Sequence, residues 1–406
     1  MIEGCDIVCV APGPWEDIWR NRHQIMSRLA RRNRVLYVEP WCYLHPTLKG
    51  LRSGQVRWAD LGGPILRQVA DNLHVYRPAG WAPRASGLPL ERITQAVTMR
   101  HLRRVLAGLG LSRPILWLFV PDGEVFVGQF GERLVVYHIV DEYSAYSGVS
   151  AGWRPIVQKA EAHLAARADL VFVTSESLWE GKRLLNPHTV WVPNAVDYAA
   201  FADAAYQRTP PPDVGAIAPP IVGYVGAIND KIDLALLGEA AARGRSWSWV
   251  LVGPLSVADA EGQKALEELR SLPNVHLLGR KSVDDVPLYM AACNACLLPY
   301  RVNEWTRNID SLKLYEYLAC GKPVLATDVP AARRFSEVVY IVRGANDLLE
   351  KLQNALEHDD AALQLRRRHI AAQNTWDQRV EAISAAIGSR LAASMEGATM
   401  SAERKD

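Results

Sequence analysis

The sequence predicts an α/β protein built from two doubly wound, parallel-sheet domains of Rossmann-like type that face each other across a cleft. Three observations predict it. Short apolar runs of buried-strand type alternate with longer segments of helical periodicity, the pattern of βαβ units. At 406 residues the chain is too long for one core. Between residues 206 and 220 lie five prolines and one glycine with little apolar content, a linker composition, and the alternation restarts after it.

The elements follow in order. Residues 6–11 (DIVCVA) read as a strand that breaks at Pro12-Gly13-Pro14, residues 16–32 as a helix, and residues 34–39 (RVLYVE) as the next strand. The Gly13 turn therefore sits at the carboxyl end of a strand, where open α/β sheets place their ligands. No G-x-G-x-x-G accompanies it, so a dinucleotide reading has little support. Residues 73–77 read as a strand and 90–109 as a basic amphipathic helix. The strands 115–120 and 134–140 end in polar clusters, Pro121-Asp122-Gly123-Glu124 and Asp141-Glu142-Tyr143. Helix 156–168, strand 170–174, helix 176–185 and strand 189–192 complete a first domain of residues 1–205. After the 206–220 linker, strands at 221–225, 249–252, 275–278 and 295–299 alternate with helices at 232–242, 260–269 and 286–292. The second domain runs to residue 375, and residues 376–406 form a last helix, to about 391, with a polar frayed tail.

The helix predicted over 311–320 organises the rest. Leu312, Tyr315, Leu318 and Ala319 recur at helical steps and bury one face, leaving Lys313 and Glu316 three apart on the other. Asn308, Asp310 and Ser311 are candidate N-caps, and Gly321 with Pro323 stops the helix before a short buried strand. The N-terminus of such a helix offers free N–H groups and a positive dipole end, which suit a phosphate. A surface ion pair on an ordinary helix fits the same spacing.

Hydrophobic content of 49% and charge of 22% are those of a globular protein. The net charge is only +2, but residues 20–113 hold 17 Lys or Arg against four acids, a local net of +13. This basic third could meet an anionic membrane surface, a phosphorylated acceptor or nucleic acid, or could be solvated helix faces. The six cysteines are scattered, mostly in apolar runs, and Cys293-x-x-Cys296 has no second pair for a zinc site. No run reaches 18 apolar residues and no secretory leader is seen, so the expected location is cytoplasmic with any membrane contact peripheral.

At this point the residues carry a resemblance. The segments DIWRNRHQIMSRLARRNRVLYVEP, LVVYHIVDEYSAYSG, ADLVFVTSESLWEGKRLLNPHTVWVPNAVDYAAF, IVGYVGAINDKIDL, NVHLLGRKSVDDVPLYMAACNACLLPY and SLKLYEYLACGKPVLAT together resemble the retaining GT-B glycosyltransferases of family 4, group 1. Within it the chain is most similar to a branch of teichuronic-acid and exopolysaccharide glycosyltransferases. The resemblance implies that the second domain binds a nucleotide-diphosphate sugar. Glu316 then takes the ribose hydroxyls. Lys313, Lys231 and the backbone at Ser311 and Leu312 take the diphosphate, with Arg307 replacing a missing base. Gly279-Arg280-Lys281 matches the turn that contacts the nucleobase. Four positions depart from the pattern: Asn308 stands where an acid is usual, Gly226-Ala227 where Gly-Arg is usual, Pro121-Asp122 where many members carry histidine, and Ala195 where the hinge motif has glycine.

The implied activity is transfer of the sugar to a hydroxyl of a glycan, lipid-linked or small-molecule acceptor, with retention. Neither metal nor other cofactor is expected, since Lys231, Lys313, Arg307 and the helix dipole can stabilise the departing diphosphate. Nor is a nucleic-acid partner. Asp141, with Asp122, Glu142 and His138, is the candidate acceptor-side cluster, Asp141 hydrogen-bonding or deprotonating the acceptor hydroxyl. His138 alternates with apolar neighbours and also reads as a core histidine; His23 faces either the cleft or solvent. Two alternatives stand beside the transferase: a nucleotide-sugar epimerase on the same fold, and a degenerate, non-catalytic binding protein.

Overall fold

The computed structural model describes residues 1–54, 56–58, 61–84, 90–146, 152–206 and 209–403, with side chains to residue 394. The apolar runs do form strands, the central ones buried on both faces, as parallel sheets between helix layers require, and the edge run at Val275–Gly279 half-buried. The first sheet joins β1 (Asp6–Val10), β2 (Arg34–Val38), β3 (Ile65–Ala70), β4 (Leu73–Arg77), β5 (Ile115–Leu118), β6 (Leu134–Ile139), β7 (Leu170–Val173) and β8 (Thr189–Trp191). Their order is β3-β4-β2-β1-β5-β6-β7-β8. All pairings are parallel except β3–β4, an antiparallel edge. At the centre, Val8 lies opposite both Leu36 and Leu116.

The second sheet is wholly parallel, in the order β13-β11-β9-β14-β15-β16. It comprises β9 (Ile221–Val225), β11 (Ser248–Val252), β13 (Val275–Gly279), β14 (Ala295–Leu298), β15 (Val324–Thr327) and β16 (Val339–Val342). Two short strands, β10 (Ile228–Asn229) and β12 (Leu255–Ser256), pair beside it.

Several boundaries differ from the sequence reading. The first helix is Asn21–Leu29 and starts five residues later, because Pro14 to Arg20 is held as a loop by the His23 ring. A helix at Leu44–Arg52, the edge strand β3, strand β16 and helices Ala345–His358 and Ala361–Ala372 are additional to the sequence reading, although Ala345, Leu348, Leu352 and Ala355 recur at helical spacing and are buried. The chain passes between cores at Ala195/Val196: Ala195 packs in the first domain, and Val196, Phe201 and Val214 pack in the second. The proline-rich segment is thus not the crossing. Prolines at 211 and 212 open a short helix whose Asp213 is bound by Lys281 and Tyr289 at 2.6 and 2.8 Å. Residues 207–208 of that segment, and 404–406 of the tail, lie outside the described residues.

The last helix, Trp376–Glu403, returns to the first domain. Trp376, Val380, Ile383 and Ile387 enter its core, and Asp377 meets Arg28 and Arg31. Its Arg379 donates to the Pro193 carbonyl at 3.0 Å, while Asp310 of the second domain accepts the Asn194 N–H at 2.6 Å. The crossing is therefore gripped from both sides.

Candidate active site

Three strands of the second domain end in glycines that an L side chain would not replace: Gly226 (φ +148°) after β9, Gly253 (φ +148°) after β11, and Gly279 (φ +68°) closing β13. A Cβ on Gly253 would run into the Gly226 carbonyl, and one on Gly226 into the Cε and Nζ of Lys313. The bare strand ends let the Leu312–Ala319 helix lay Lys313 across them, its Nζ 5.6 Å from the Tyr224 ring centre. Ser311 is the N-cap residue but makes no side-chain cap; its Oγ lies 3.0 Å from the Tyr300 hydroxyl. The first turn is thereby left without a side-chain partner for its N–H groups.

Lys231, on the turn after β10, places its Nζ 5.2 Å from the Tyr300 ring centre. Both lysines are partly buried, and among the described residues neither has a carboxylate within 4.0 Å. Burial pushes Lys231 down to about 8, against the pull of Asp141, with Arg20 adding to the depression. Lys313 is depressed by the same burial, with Tyr300 opposing and Lys231 contributing. Burial lifts the Glu316 carboxyl to about 7, against the charge of Lys313. The result is a pocket wall of two under-compensated cations and one acid poised near neutrality.

The first domain answers with Asp141 at the end of β6. Its carboxylate accepts from the Tyr146 hydroxyl at 2.6 Å. Burial raises Asp141, while the Tyr146 bond and the charges of Lys231 and Arg20 oppose that rise. Arg20, exposed at the start of the first helix, acts on Asp141, Lys231 and Lys313 alike. Sequence reasoning missed it, although it sits in the quoted DIWRNRH segment; no spacing singled it out from the neighbouring arginines. Across the gap, the Tyr146 and Trp305 rings lie 5.2 Å apart, and the Ser177 hydroxyl donates to the Asn308 amide oxygen at 2.8 Å.

Other predicted residues sit elsewhere. Asp122 is not grouped with Asp141: Arg84 pairs with its carboxylate and the Tyr43 hydroxyl donates to it. Glu142 accepts from Lys182 at 2.9 Å and Ser144 at 2.7 Å, in a cluster that includes Glu161. His138 is a core residue, its ring stacked on Phe119 at 4.8 Å with both nitrogens unpartnered, and burial pushes it down to about 3. His23 faces neither cleft nor solvent. It is fully buried, its Nδ1 accepts the Arg20 N–H at 3.0 Å, and its Nε2 donates to the Pro14 carbonyl at 3.3 Å. Burial pushes it down to about 4, so the neutral ring pins the loop that carries Arg20. Gly13 is buried, and a Cβ there would come within 2.6 Å of Arg22 Nη2, which would have to shift. Arg307 and Arg280 are exposed, and Leu312 packs against the first domain's core. Among the described residues no group of three His, Cys, Asp or Glu side chains is placed to hold a metal ion.

With this geometry in hand, comparison with known proteins is specific. The family described as "Glycosyl transferases group 1" matches residues 219–362. A Bacillus subtilis glycosyltransferase named for teichuronic acid biosynthesis, TuaH, is 29% identical over 283 residues, 66% of this chain and 70% of its own. Among solved structures, Anabaena Alr3699/HepE in complex with UDP and glucose superposes with a TM-score of 0.67 at 16% identity, over 95% of this chain and all of that one. Sucrose-phosphate synthase from Thermosynechococcus elongatus gives 0.69 at 19% identity, over 96% and 100% of the two chains.

Proposed function

We propose that this chain, which matches the group 1 glycosyltransferases over residues 219–362 and shares the GT-B fold, moves a sugar from a nucleotide-diphosphate sugar to a hydroxyl of a glycan, lipid-linked or small-molecule acceptor, with retention and without a metal ion. The observation that carries this reading is the pair Lys231 and Lys313. Partial burial of two cations with no carboxylate within 4.0 Å among the described residues is unfavourable, and a diphosphate laid over the helix N-terminus, which has no side-chain cap, offsets it.

In this reading Glu316 accepts the ribose hydroxyls, and the backbone at Gly279 and Arg280 meets the base. As the bond from the sugar to the diphosphate breaks, the charge gathering on the leaving group is met by Lys231, Lys313, Arg20 and the helix end. Asp141 accepts a hydrogen bond from the acceptor hydroxyl as its oxygen joins the sugar. HepE, solved with UDP and glucose, makes UDP the first nucleotide to test. A second reading, nucleotide binding without transfer, is favoured by Asn308: its amide oxygen is held by Ser177, where an acid would face the sugar.

Labelled UDP-glucose incubated with the protein, membrane extract and a chelator tests both. Label transferred to an acceptor, one UDP released per transfer, is the expected result. Tight UDP binding with no transfer from any nucleotide sugar supports the second reading, and an epimerised sugar nucleotide overturns both.

A further inference from the structure

The helix that carries Lys313 and Glu316 does not belong to one domain alone. Leu314, Tyr315, Tyr317, Leu318 and Ala319 are packed in the core of the second domain. Its first residue, Leu312, instead packs against the core of the first. The segment ahead of it touches the first domain three times: Trp305 meets the Tyr146 ring, Asn308 accepts from Ser177, and Asp310 meets Asn194, next to the Ala195/Val196 crossing. The end of the helix that faces the donor site is therefore set by contacts with the opposite domain.

Of these contacts, the one at Asp310 is buried on both sides, while Trp305 and Asn308 are partly exposed. A carboxylate oxygen of Asp310 accepts the Asn194 N–H at 2.6 Å, and the Asp310 carbonyl accepts from the Asn194 side-chain amide at 2.6 Å. The Tyr315 hydroxyl, in the helix, lies 3.1 and 3.0 Å from the two carboxylate oxygens, and Arg334 donates to that hydroxyl at 3.3 Å. Arg379 of the last helix holds the same stretch at the Pro193 carbonyl. One carboxylate thus joins the backbone of the crossing to the start of the helix. Burial pushes it up to about 6, against Arg334, the bonds from Asn194 and Tyr315, and Arg379, so in neutral solution the acceptor is charged.

We propose that Asp310 is a positioning residue that fixes the diphosphate-binding end of the Leu312–Ala319 helix to the domain crossing, so that grip on the donor and the arrangement of the two domains are one equilibrium. The inference rests on the nucleotide-sugar reading of the cleft and adds a control on that same site. Ser311, the N-cap residue, makes no side-chain cap, so the aim of the first free N–H groups depends on the backbone that leads into it. Pulling the first domain away from that backbone would strand the buried Asn194 N–H and leave a buried carboxylate short of a donor, an arrangement that protein interiors avoid. Residues 310–312 therefore follow the crossing when the domains move. By reciprocity, a ligand that holds the first turn of the helix also holds the crossing. Asp310 is engaged by Asn194 and Tyr315, and its effect on the ligand passes through the helix.

Hydrogen exchange of the full chain with UDP and with uridine, beside calorimetry, tests this; GDP with guanosine or ADP with adenosine takes their place if that diphosphate binds tighter. Saturating UDP is expected to slow amide exchange over residues 194–197, and uridine, which lacks the diphosphate, to leave it unchanged. D310N keeps the shape but has one acceptor in place of two. Its UDP affinity is expected to fall by roughly tenfold while uridine affinity holds, and the slowing at 194–197 to vanish even at saturation. Y315F cuts the link on the helix side and leaves the Asn194 N–H its acceptor. The same selective loss of UDP affinity is expected there, with a thermal melt to report folding. Unchanged UDP affinity and unchanged slowing in the folded variants would overturn the proposal, as would an equal loss for UDP and uridine, the mark of a merely structural role. A wild-type chain that binds UDP, GDP and ADP no better than their nucleosides would overturn the donor-site reading itself, and this proposal with it.

Discussion

The two walls of the cleft handle charge in opposite ways. On the second-domain wall, Lys231, Lys313 and Glu316 are partly buried, shifted from their ordinary titration ranges, and without close ion pairs among the described residues. In the first domain, by contrast, the charged groups at the strand ends are matched internally, Asp122 by Arg84 and Glu142 by Lys182, and the neutral His23 ring is buried in its own loop. Asp141 and Arg20 are charged groups that act across the gap. A wall with internal balance is scaffold, while a wall with unbalanced charge is prepared for a ligand that supplies the difference.

The most damaging way to break this contrast is Gly226→Ala. The substitution places a side chain at a left-handed φ and displaces Lys313, so kcat/KM is expected to fall by roughly a hundredfold or more. Steady-state kinetics beside a thermal melt separates the loss from unfolding. Glu316→Ala should weaken UDP binding by roughly tenfold or more, as loss of hydrogen bonds to a charged acceptor costs about 1.5–3 kcal/mol; calorimetry reads it. The pH profile of kcat/KM sharpens the same wall. The rate should climb as Glu316 ionises around pH 7 and decline as Lys231 loses its proton around pH 8. The smallest effect belongs to the opposite wall. His138→Phe removes two unpartnered nitrogens from an aromatic stack, so activity should be unchanged and stability equal or higher by about 1 kcal/mol. A lost activity in a folded His138→Phe protein would return that residue to the site.

How far these features could be read beforehand depends on whether a local pattern marks them. The Leu312–Ala319 helix was legible because its apolar period leaves Lys313 and Glu316 on one narrow face. Strands β1, β5 and β6 were legible as unbroken apolar runs. The crossing at Ala195/Val196 falls on the hinge motif that the family resemblance marks, yet composition drew the domain boundary to the prolines of 206–220; core packing decides it, and that is a tertiary fact. Glu142 and Asp122 fall at strand ends just as Asp141 does, and sequence cannot say that Lys182 and Arg84 approach them from afar. Arg20 was hidden for the converse reason, since one arginine in a basic stretch carries no sign of the loop that His23 holds in place.

Calorimetric titration of UDP at pH 8, repeated in buffers of different ionisation enthalpy, addresses the unbalanced lysines most directly. A diphosphate that settles beside Lys231 must lift it from about 8, so binding should draw a proton from the buffer. Lys231→Met should abolish that uptake and weaken affinity. Binding with no proton uptake, and with affinity untouched in the Lys231→Met protein, would contradict the account.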